Sequence, residues 1–427
     1  MQRSDNKSSA IILTFLFPFA GLVYSLANWR EKWAKNAFWL ACIYMGAVFI
    51  FFPEGAAELG RGADGKYYAS RLMDMYNSSI TLRDIFSSYL VDEHIMDLYQ
   101  PLLTYFISRF TDNGHVLFTV YAFVFGFFYS RNIWYILDRL PNKRLKGLVI
   151  LVALYFLICP ISQINGVRMW TALHVFVYGM MPYLVERDRS KLWWVLITPL
   201  IHFSFLYVAI FAVLYFVLPY RIKIHNQSLL FIALAFFVIT MFVNSLSLDV
   251  VGNTLAEYSP ESYEDRIVGY TNQDYADRLA EGSKGNWYVA LSGILTTWSY
   301  ALLLILAYPY VIRNYKNKEW LVHLYLFALL MGGIANVMTF IPSGGRFRLL
   351  SHMFIVPVFL IIAMSVDNNA SYRKYVNIAS LFLLLPLVFQ IRVLFDYYGV
   401  TLVLGNFITA LFIESNIPII DFIKAFV

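Results

Sequence analysis

Long apolar runs, each about the length of a bilayer crossing, constrain this chain more than any other feature. A helix needs roughly 20 apolar residues to cross the hydrocarbon core, and ten segments approach that length. They cover residues 10–28, 37–53, 115–137, 147–164, 169–185, 228–248, 287–312, 320–341, 349–366 and 376–394. Of the 427 residues, 59% are hydrophobic and only 14% are charged, against about 25% charged in soluble domains. The sequence therefore predicts an all-α polytopic membrane protein with one integral membrane domain over residues 1–427.

Two further apolar segments are interrupted. Residues 192–218 are long for a single crossing and contain Pro199 and His202. The tail, residues 401–427, is broken by charged residues and a proline, and is either an interfacial helix or one more crossing. Together with the ten clear runs, these segments predict about 10–12 transmembrane helices.

The distribution of Lys and Arg predicts the orientation, because short cytoplasmic loops are enriched in them. Six short segments are basic, around residues 30–35, 139–146, 187–191, 221–223, 313–318 and 373–374. Two long loops, residues 54–114 and 249–286, are acidic on balance and are expected outside. All six basic segments share one side only if residues 192–218 form a re-entrant hairpin. Such a hairpin requires surrounding protein or a water-filled cavity, which points to a cavity near His202.

In this topology four arginines lie on the outer side, although Lys and Arg are generally enriched on the cytoplasmic side. They are Arg61, Arg168, Arg346 and Arg348, and the last three open apolar runs. The planar fork of donors on arginine suits phosphate, and helix N-termini add partial positive charge. Snorkelling of single arginines to lipid headgroups is the alternative. As a group, the four arginines favour an anionic ligand.

Two residues are candidates for proton transfer. His202 lies at the expected hairpin turn, and an ionisable residue inside an apolar run is costly unless it is functional or paired. The alternative is a structural histidine bonded to Ser204. Asp64 lies in the outer loop beside Arg61, where the alternative is a loop salt bridge. His352 follows Arg348 by one turn and is expected at the same cavity, or in the core.

No motif indicates a metal, a nucleotide or a nucleic acid as ligand. Cys42 and Cys159 lie in apolar runs and form no metal spacing, and no P-loop or dinucleotide glycine motif is present. We therefore expect no cofactor. A synthetic reaction on the outer face lacks ATP and needs a pre-activated donor, such as a sugar on a polyprenyl pyrophosphate.

Six short motifs occur one after another along the chain. They are Arg61…Asp64…Tyr67-Tyr68, Gln100-Pro101, Ile164-Asn-Gly-Val-Arg168, His202-Phe-Ser204, Arg266-Ile-x-x-Tyr270 and the Arg346/Arg348 pair. In this order they resemble the EpsG family of bacterial exopolysaccharide and O-antigen polymerases, which are Wzy-like proteins. The chain departs from the family pattern at Ala63 and Gly65 around the aspartate, at Gln100 in place of Glu, and at Met169 in place of Gln.

The resemblance implies a GT-C-like or Wzy-like fold in the bacterial inner membrane. It implies a polymerase that joins undecaprenyl-pyrophosphate-linked oligosaccharide repeats at the periplasmic face. A single displacement without a metal would make the enzyme metal-independent and inverting. The base would be His202 or, second, Asp64. The expected pyrophosphate ligands are Arg168, Arg346, Arg348 and Arg61, and the expected sugar contacts are Tyr67, Tyr68, Tyr270, His352 and Gln163. Membrane lipids and a chain-length regulator protein are the expected partners.

Several other functions fit the same features. An O-antigen ligase and a polyprenyl-phosphate-sugar glycosyltransferase are enzymes of the same broad kind. A lipid-linked oligosaccharide flippase or a transporter belongs to another class, and transporters often show repeated halves with matching broken helices. The sequence has one interrupted internal segment and no matching partner for it.

Overall fold

All regular structure in the described part of the chain is helical. The structure is a computed structural model that describes residues 2–52, 64–90, 97–140, 148–221, 227–243, 257, 287–314, 317–341, 343–364, 370–413 and 417–425. The helices are α1 Gln2–Leu16, α2 Pro18–Ala27, α3 Ala34–Ala47, α4 Asp64–Asn77, α5 Leu82–Leu90, α6 Tyr99–Ser108, α7 Gly114–Leu137, α8 Val149–Leu157, α9 Val167–Glu186, α10 Trp193–Ile201, α11 Phe205–Arg221, α12 Gln227–Met241, α13 Trp287–Arg313, α14 Glu319–Met338, α15 Phe347–Met364, α16 Ala370–Phe382, α17 Leu384–Asp396, α18 Thr401–Leu404 and α19 Ile419–Lys424. Short 3₁₀ helices, Ile161–Gly166 and Gly344–Arg346, lead into α9 and α15.

Five helical stretches of the described residues are long and apolar enough to cross a membrane. They are Gly114–Leu137, Val149–Glu186, Trp287–Arg313, Glu319–Met338 and Gly344–Met364. A sixth is added if the bent pair α16 and α17 counts as one crossing, and several shorter apolar helices accompany them. The all-α polytopic membrane fold predicted from the sequence is confirmed.

Two predicted crossings are broken helices rather than straight ones. The run 10–28 divides between α1 and α2, because Pro18 has no N–H to donate and disfavours helical backbone at Phe17, whose φ and ψ are −140° and 77°. The run 376–394 bends by 49° between α16 and α17. The described part of the tail forms only short helices, so it contains no helix of crossing length.

The core of the bundle is built around α9, α14 and α15. A 20-residue helix such as α9 is about 30 Å long, which matches the hydrocarbon core. Phe176 on α9 and Phe354 on α15 have ring centroids 6.2 Å apart. Each of these rings comes eight residues after an arginine, Arg168 and Arg346 respectively. Met169 and Phe347, at the starts of α9 and α15, line one cavity, so the two helices begin at the same end of the bundle, which we name the Arg168 end.

The opposite end carries a concentration of basic residues. Lys35, Arg131, Arg139 and Lys191 line one cavity of about 170 Å³, together with Pro182 near the end of α9. These four cations come from α3, α7, the turn after α7 and the segment before α10, which agrees with the segregation of charge predicted from the loops. We name this the basic end.

Residues 192–218 form the predicted re-entrant hairpin. Helix α10 has only nine residues, and the chain breaks at His202 before α11 begins at Phe205. The break lies at the Arg168 end, where the Ser204 hydroxyl is 3.9 Å from the sulfur of Met169. Helix α11 then returns to the basic end, where Phe216 packs on Tyr183 with ring centroids 5.3 Å apart. The Arg189 guanidinium, from before α10, covers the same Phe216 ring. Both ends of the segment therefore lie at the basic end.

A cysteine at the far end of this hairpin tests its topology. We expect Arg221→Cys to react with a membrane-impermeant maleimide only after the cells are permeabilised, because the hairpin returns the chain to the basic end and basic loops favour the cytoplasm. Lys66→Cys, at an exposed position on α4, is the matched control and should react in intact cells. Both native cysteines are buried and should give little background. Labelling of Arg221→Cys in intact cells would require α10 and α11 to form one crossing.

Candidate functional site

A cavity of about 210 Å³ opens at the Arg168 end, between the hairpin break and the start of α15. Its lining comes from α9, the break, the end of α14 and the turn before α15, as Met169, His202, Phe203, Ser204, Tyr207, Met338, Ile341, Ser343, Gly344, Arg346 and Phe347. We name it the His202 cavity. Phe205 anchors the break, because its ring packs on the rings of Phe176 and Phe347, with centroid distances of 6.1 Å and 5.8 Å. The structure thus brings His202 and Arg346 to one cavity, as the sequence predicted.

The backbone around His202 is what orients its ring. His202 ends α10 in extended conformation, with φ −150° and ψ 119°, and its N–H donates to the Thr198 carbonyl at 2.9 Å. The backbone N–H of Ser204 donates to His202 Nδ1 at 3.3 Å, and the Ser204 hydroxyl lies 2.6 Å from the same nitrogen. Because a backbone N–H can only donate, Nδ1 is an acceptor, and the neutral ring carries its proton on Nε2.

A buried carboxylate that the sequence analysis missed connects the hairpin break to α9. Asp97 is 1% exposed and accepts from Arg168 Nη1 at 2.9 Å and from the Phe203 N–H at 2.9 Å. The Leu98 N–H also donates to the Leu200 carbonyl at 2.9 Å. Asp97 therefore fixes both the Arg168 guanidinium and the backbone next to His202. The only local sign of its role in the sequence is an acidic residue two positions before an apolar helix. Such a residue looks the same as an ordinary charged residue of a solvated loop.

Tyr68 on α4 holds the other side of the Arg168 guanidinium. Arg168 Nε donates to the Tyr68 hydroxyl at 3.3 Å. Burial raises the pKa of Tyr68 above its ordinary value, against the opposing charge of Arg168, so the side chain stays a neutral phenol near pH 7. The Arg168 side chain remains 41% exposed, which leaves part of its donor fork accessible. Tyr67, the next residue, is 53% exposed.

Asp64 begins α4 beside the start of α9. Its Oδ2 is 3.9 Å from the position that a side chain at Gly166 would occupy. The Gly65 N–H donates to Asn165 Oδ1 at 2.9 Å, which ties this turn of α4 to the 3₁₀ segment before α9. Asp64 is exposed and acts electrostatically on Tyr68. It therefore belongs to the network around Arg168 and is absent from the lining of the His202 cavity.

The turn before α15 is built so that Arg346 reaches the cavity. The backbone of Ser343 has a φ of 64°, a left-handed conformation that residues other than glycine rarely adopt. At the next position only glycine fits, because a Cβ on Gly344 would overlap the Met338 carbonyl oxygen. The exposed side chain of Arg346 follows in the same 3₁₀ turn.

Arg346 and Arg348 do not share a cavity. Consecutive helical residues are rotated by about 100°, so residues two apart point to nearly opposite sides. Buried Phe347 is the residue between them in sequence. Arg348 and His352 line a second cavity, of about 240 Å³, between α8, α13 and α17. The expectation that the outer arginines and His352 surround one cavity is therefore wrong. Arg346 lines the His202 cavity, whereas Arg348 and His352 line the second one.

The remaining predicted residues are not placed in either cavity. Gln163 is half-buried in the 3₁₀ segment Ile161–Gly166. Arg61 and Tyr270 lie outside the described residues, as does almost all of loop 249–286. In the described parts of the chain, no three His, Cys, Asp or Glu side chains converge as a metal site would require.

Substitution of Asp97 tests whether it positions the site. We expect Asp97→Asn to keep the bond from the Phe203 N–H but to lose the ion pair with Arg168, because an amide accepts without carrying charge. The activity that the site supports should fall by about 10- to 100-fold at normal protein levels, given the worth of a charge-assisted hydrogen bond. Asp84→Asn, a fully exposed carboxylate on α5, is the control. Equal activity of the two variants would mean that the pair has no positioning role.

The fold and site together define a polytopic helical membrane protein with a histidine and an arginine facing one cavity at a single end of its bundle. The profile of the EpsG family matches residues 55–404, a range that includes every described residue of the site. The chain belongs to the EpsG family, which is a family of Wzy-like polymerases. This membership indicates a role as a polysaccharide polymerase. No curated protein and no solved structure matches the chain.

Proposed function

We propose that this protein joins oligosaccharide repeats carried on undecaprenyl pyrophosphate, at the periplasmic face of the bacterial inner membrane. The observation that carries the proposal is the meeting of His202, Ser204 and Arg346 in one cavity, with the Asp97-held Arg168 beside it. The Arg168 end is opposite the basic end, and basic residues favour the cytoplasm. That charge distribution supports a periplasmic position for the cavity.

In the proposed reaction, a hydroxyl of the acceptor repeat attacks the anomeric carbon of the donor chain. The new bond forms as the bond from that carbon to the pyrophosphate oxygen breaks. Undecaprenyl pyrophosphate leaves with the added negative charge, and preorganised cations stabilise such charge in a site shielded from water. Arg346 is the main candidate, since no described carboxylate is paired with it, whereas Arg168 is partly neutralised by Asp97.

The acceptor proton passes to His202 through Ser204. His202 Nδ1 is the basic nitrogen, but it faces the Ser204 hydroxyl at 2.6 Å. Ser204 therefore gives its proton to Nδ1 as it takes one from the sugar hydroxyl, and the ring becomes an imidazolium. The Nε2–H is left to donate to the leaving pyrophosphate. Asp64 is the second candidate for the base and would act from the Arg168 side.

The stereochemical and cofactor parts of the proposal follow from this single displacement. One attack at the anomeric carbon inverts its configuration, and no metal or other cofactor takes part. Exposed Tyr67 and half-buried Gln163 lie on the elements around the start of α9 and would contact the sugars. Tyr68, which the sequence also offered as a sugar contact, is buried and would act through Arg168. Tyr270 and Arg61 are proposed from the family resemblance alone. Lipids and a chain-length regulator protein are the proposed partners.

Sugar gels from a strain that lacks the gene distinguish the alternatives. Loss of a polymerase should leave single repeats without the ladder of longer chains. Loss of a ligase should instead remove all attached repeats. Loss of a flippase should prevent repeats from reaching the outer face. Purified protein with lipid-linked repeats should then make polymer by itself, without an added metal. A ladder of normal length in the deletion strain would overturn the proposal.

A further inference from the structure

We propose that the second cavity, which we name the Arg348 cavity, is a separate binding site for a phosphate or pyrophosphate attached to a long apolar chain. In the polymerase it would hold one of the two lipid-linked substrates while the His202 cavity holds the other. This assignment of a substrate rests on the proposed function. The binding site itself does not, because it follows from the shape, charge and lining of the cavity.

The lining divides into a polar part and an apolar part. Ser292, Thr296 and Thr297 on α13 and Gln390 on α17 supply hydroxyl and amide groups. Apolar side chains come from all four helices, with Leu154 and Leu157 on α8, Val289 on α13, Leu349 on α15 and Phe389 on α17. Gly293 and Gly345 also line the cavity, and a Cβ at either would meet no neighbour within 4 Å. There is thus room for a ligand at both glycines.

Arg348 provides the charge for this site. Its Nε is buried and has no hydrogen-bond partner, and no carboxylate is present in the described lining. A buried donor on a cation that lacks a partner carries an unrepaid desolvation penalty. An anion in the cavity would accept from this donor, and the planar fork of arginine matches phosphate oxygens. His352, one turn further along α15, lies at the same cavity and is held against Tyr300, with ring centroids 4.7 Å apart.

The helices beside the cavity also present a path for an apolar chain. On α13, Ile294 and Trp298 are 55% and 51% exposed, and on α17, Val388 is 60% exposed. These exposed apolar side chains are on the two helices that supply the polar lining, so a lipid chain can lie along them while its phosphate enters. A free phosphate would use the arginine but gain nothing from this surface.

The two-residue spacing of the arginines relates the two cavities. Arg346 and Arg348 leave opposite sides of the start of α15, so one short turn serves both cavities. Joining two lipid-linked repeats requires two pyrophosphates to be bound at once, and a single shared site would place two highly charged groups together. Two separate cavities avoid that repulsion and still keep both ligands beside the same helix.

Binding stoichiometry tests the inference. The probe is farnesyl pyrophosphate, a short polyprenyl pyrophosphate, measured by native mass spectrometry on the full chain in detergent. We expect two molecules to bind the wild type and one to bind Arg348→Gln or Arg346→Gln, with affinity at the altered site about 10- to 100-fold weaker. Arg83→Gln, an exposed arginine on α5, is the control and should bind two. Thr297→Val is a second variant, expected to weaken one site several-fold, should Arg348→Gln fail to fold.

Other lipids and activity separate the possible outcomes. Phosphatidylglycerol at equal concentration should not displace the Arg348-dependent molecule; displacement would mean a structural lipid site and would overturn the assignment. Inorganic pyrophosphate that binds as well as the probe would overturn the role of the apolar chain. Unchanged stoichiometry in Arg348→Gln would overturn the site. A wild type that binds two probes but makes no polymer would overturn the proposed polymerase function while supporting the second site.

Discussion

Replacing Arg346 with glutamine is expected to lower polymerisation of lipid-linked repeats by about 100-fold, the loss typical when one preorganised donor to a developing negative charge is removed. Arg346 lines the His202 cavity and has no described carboxylate partner, so its full charge faces the ligand. The variant should fold normally, because substitution of an exposed side chain away from a buried network changes stability by roughly 0.5 kcal/mol or less. Polymer length from purified protein and defined lipid-linked repeats is the measurement.

Two further arginine variants sharpen this experiment. Arg346→Lys keeps the charge but loses the planar fork, so an intermediate activity is expected if two phosphate oxygens are contacted together. Arg83→Gln removes an equal charge from exposed α5 and should remain fully active. If Arg346→Gln retains more than a tenth of wild-type activity at equal protein levels, Arg346 does not stabilise the leaving group.

The second large effect is expected for His202→Asn. The asparagine side-chain oxygen can take the place of Nδ1 and accept from Ser204, but it cannot take up a proton. Positioned proton transfer contributes about 10²–10⁴-fold to enzymatic rates, so we expect polymerisation to fall by at least 100-fold. The hydrogen bonds at the hairpin break are largely kept in this variant. Gel filtration and thermal unfolding should therefore resemble those of the wild type.

Ser204 provides the matching test of the relay. Ser204→Ala should also slow polymerisation, since the sugar hydroxyl then loses its direct proton acceptor. The double variant should be little worse than His202→Asn alone, because residues that act as one unit do not give multiplicative losses. A fully multiplicative double variant would show that the two side chains act independently. An active His202→Asn protein would instead transfer the role of base to Asp64 or to another residue.

Several features followed directly from the sequence. The apolar runs determined the all-α membrane fold, because a bilayer admits backbone only with its hydrogen bonds satisfied internally. The distribution of Lys and Arg predicted the hairpin at His202, and the chain does break and return there. The placement of Arg346 beside His202 was also predicted. The first two depend on hydropathy and charge along the chain. The third follows from them, because the predicted topology put both residues on the same side of the membrane.

The remaining features depend on contacts between distant parts of the chain, and only the tertiary structure determines them. Asp97 is 71 residues from Arg168 in sequence, and no local pattern distinguishes a buried ion pair from a solvated loop acid. The separation of Arg346 from Arg348 depends on where α15 begins and on which neighbours cover each face. The sequence by itself therefore determined the class of protein and one pair of site residues. Packing around α9 and α15 decided that Asp97 orients the site and that the arginines serve two cavities.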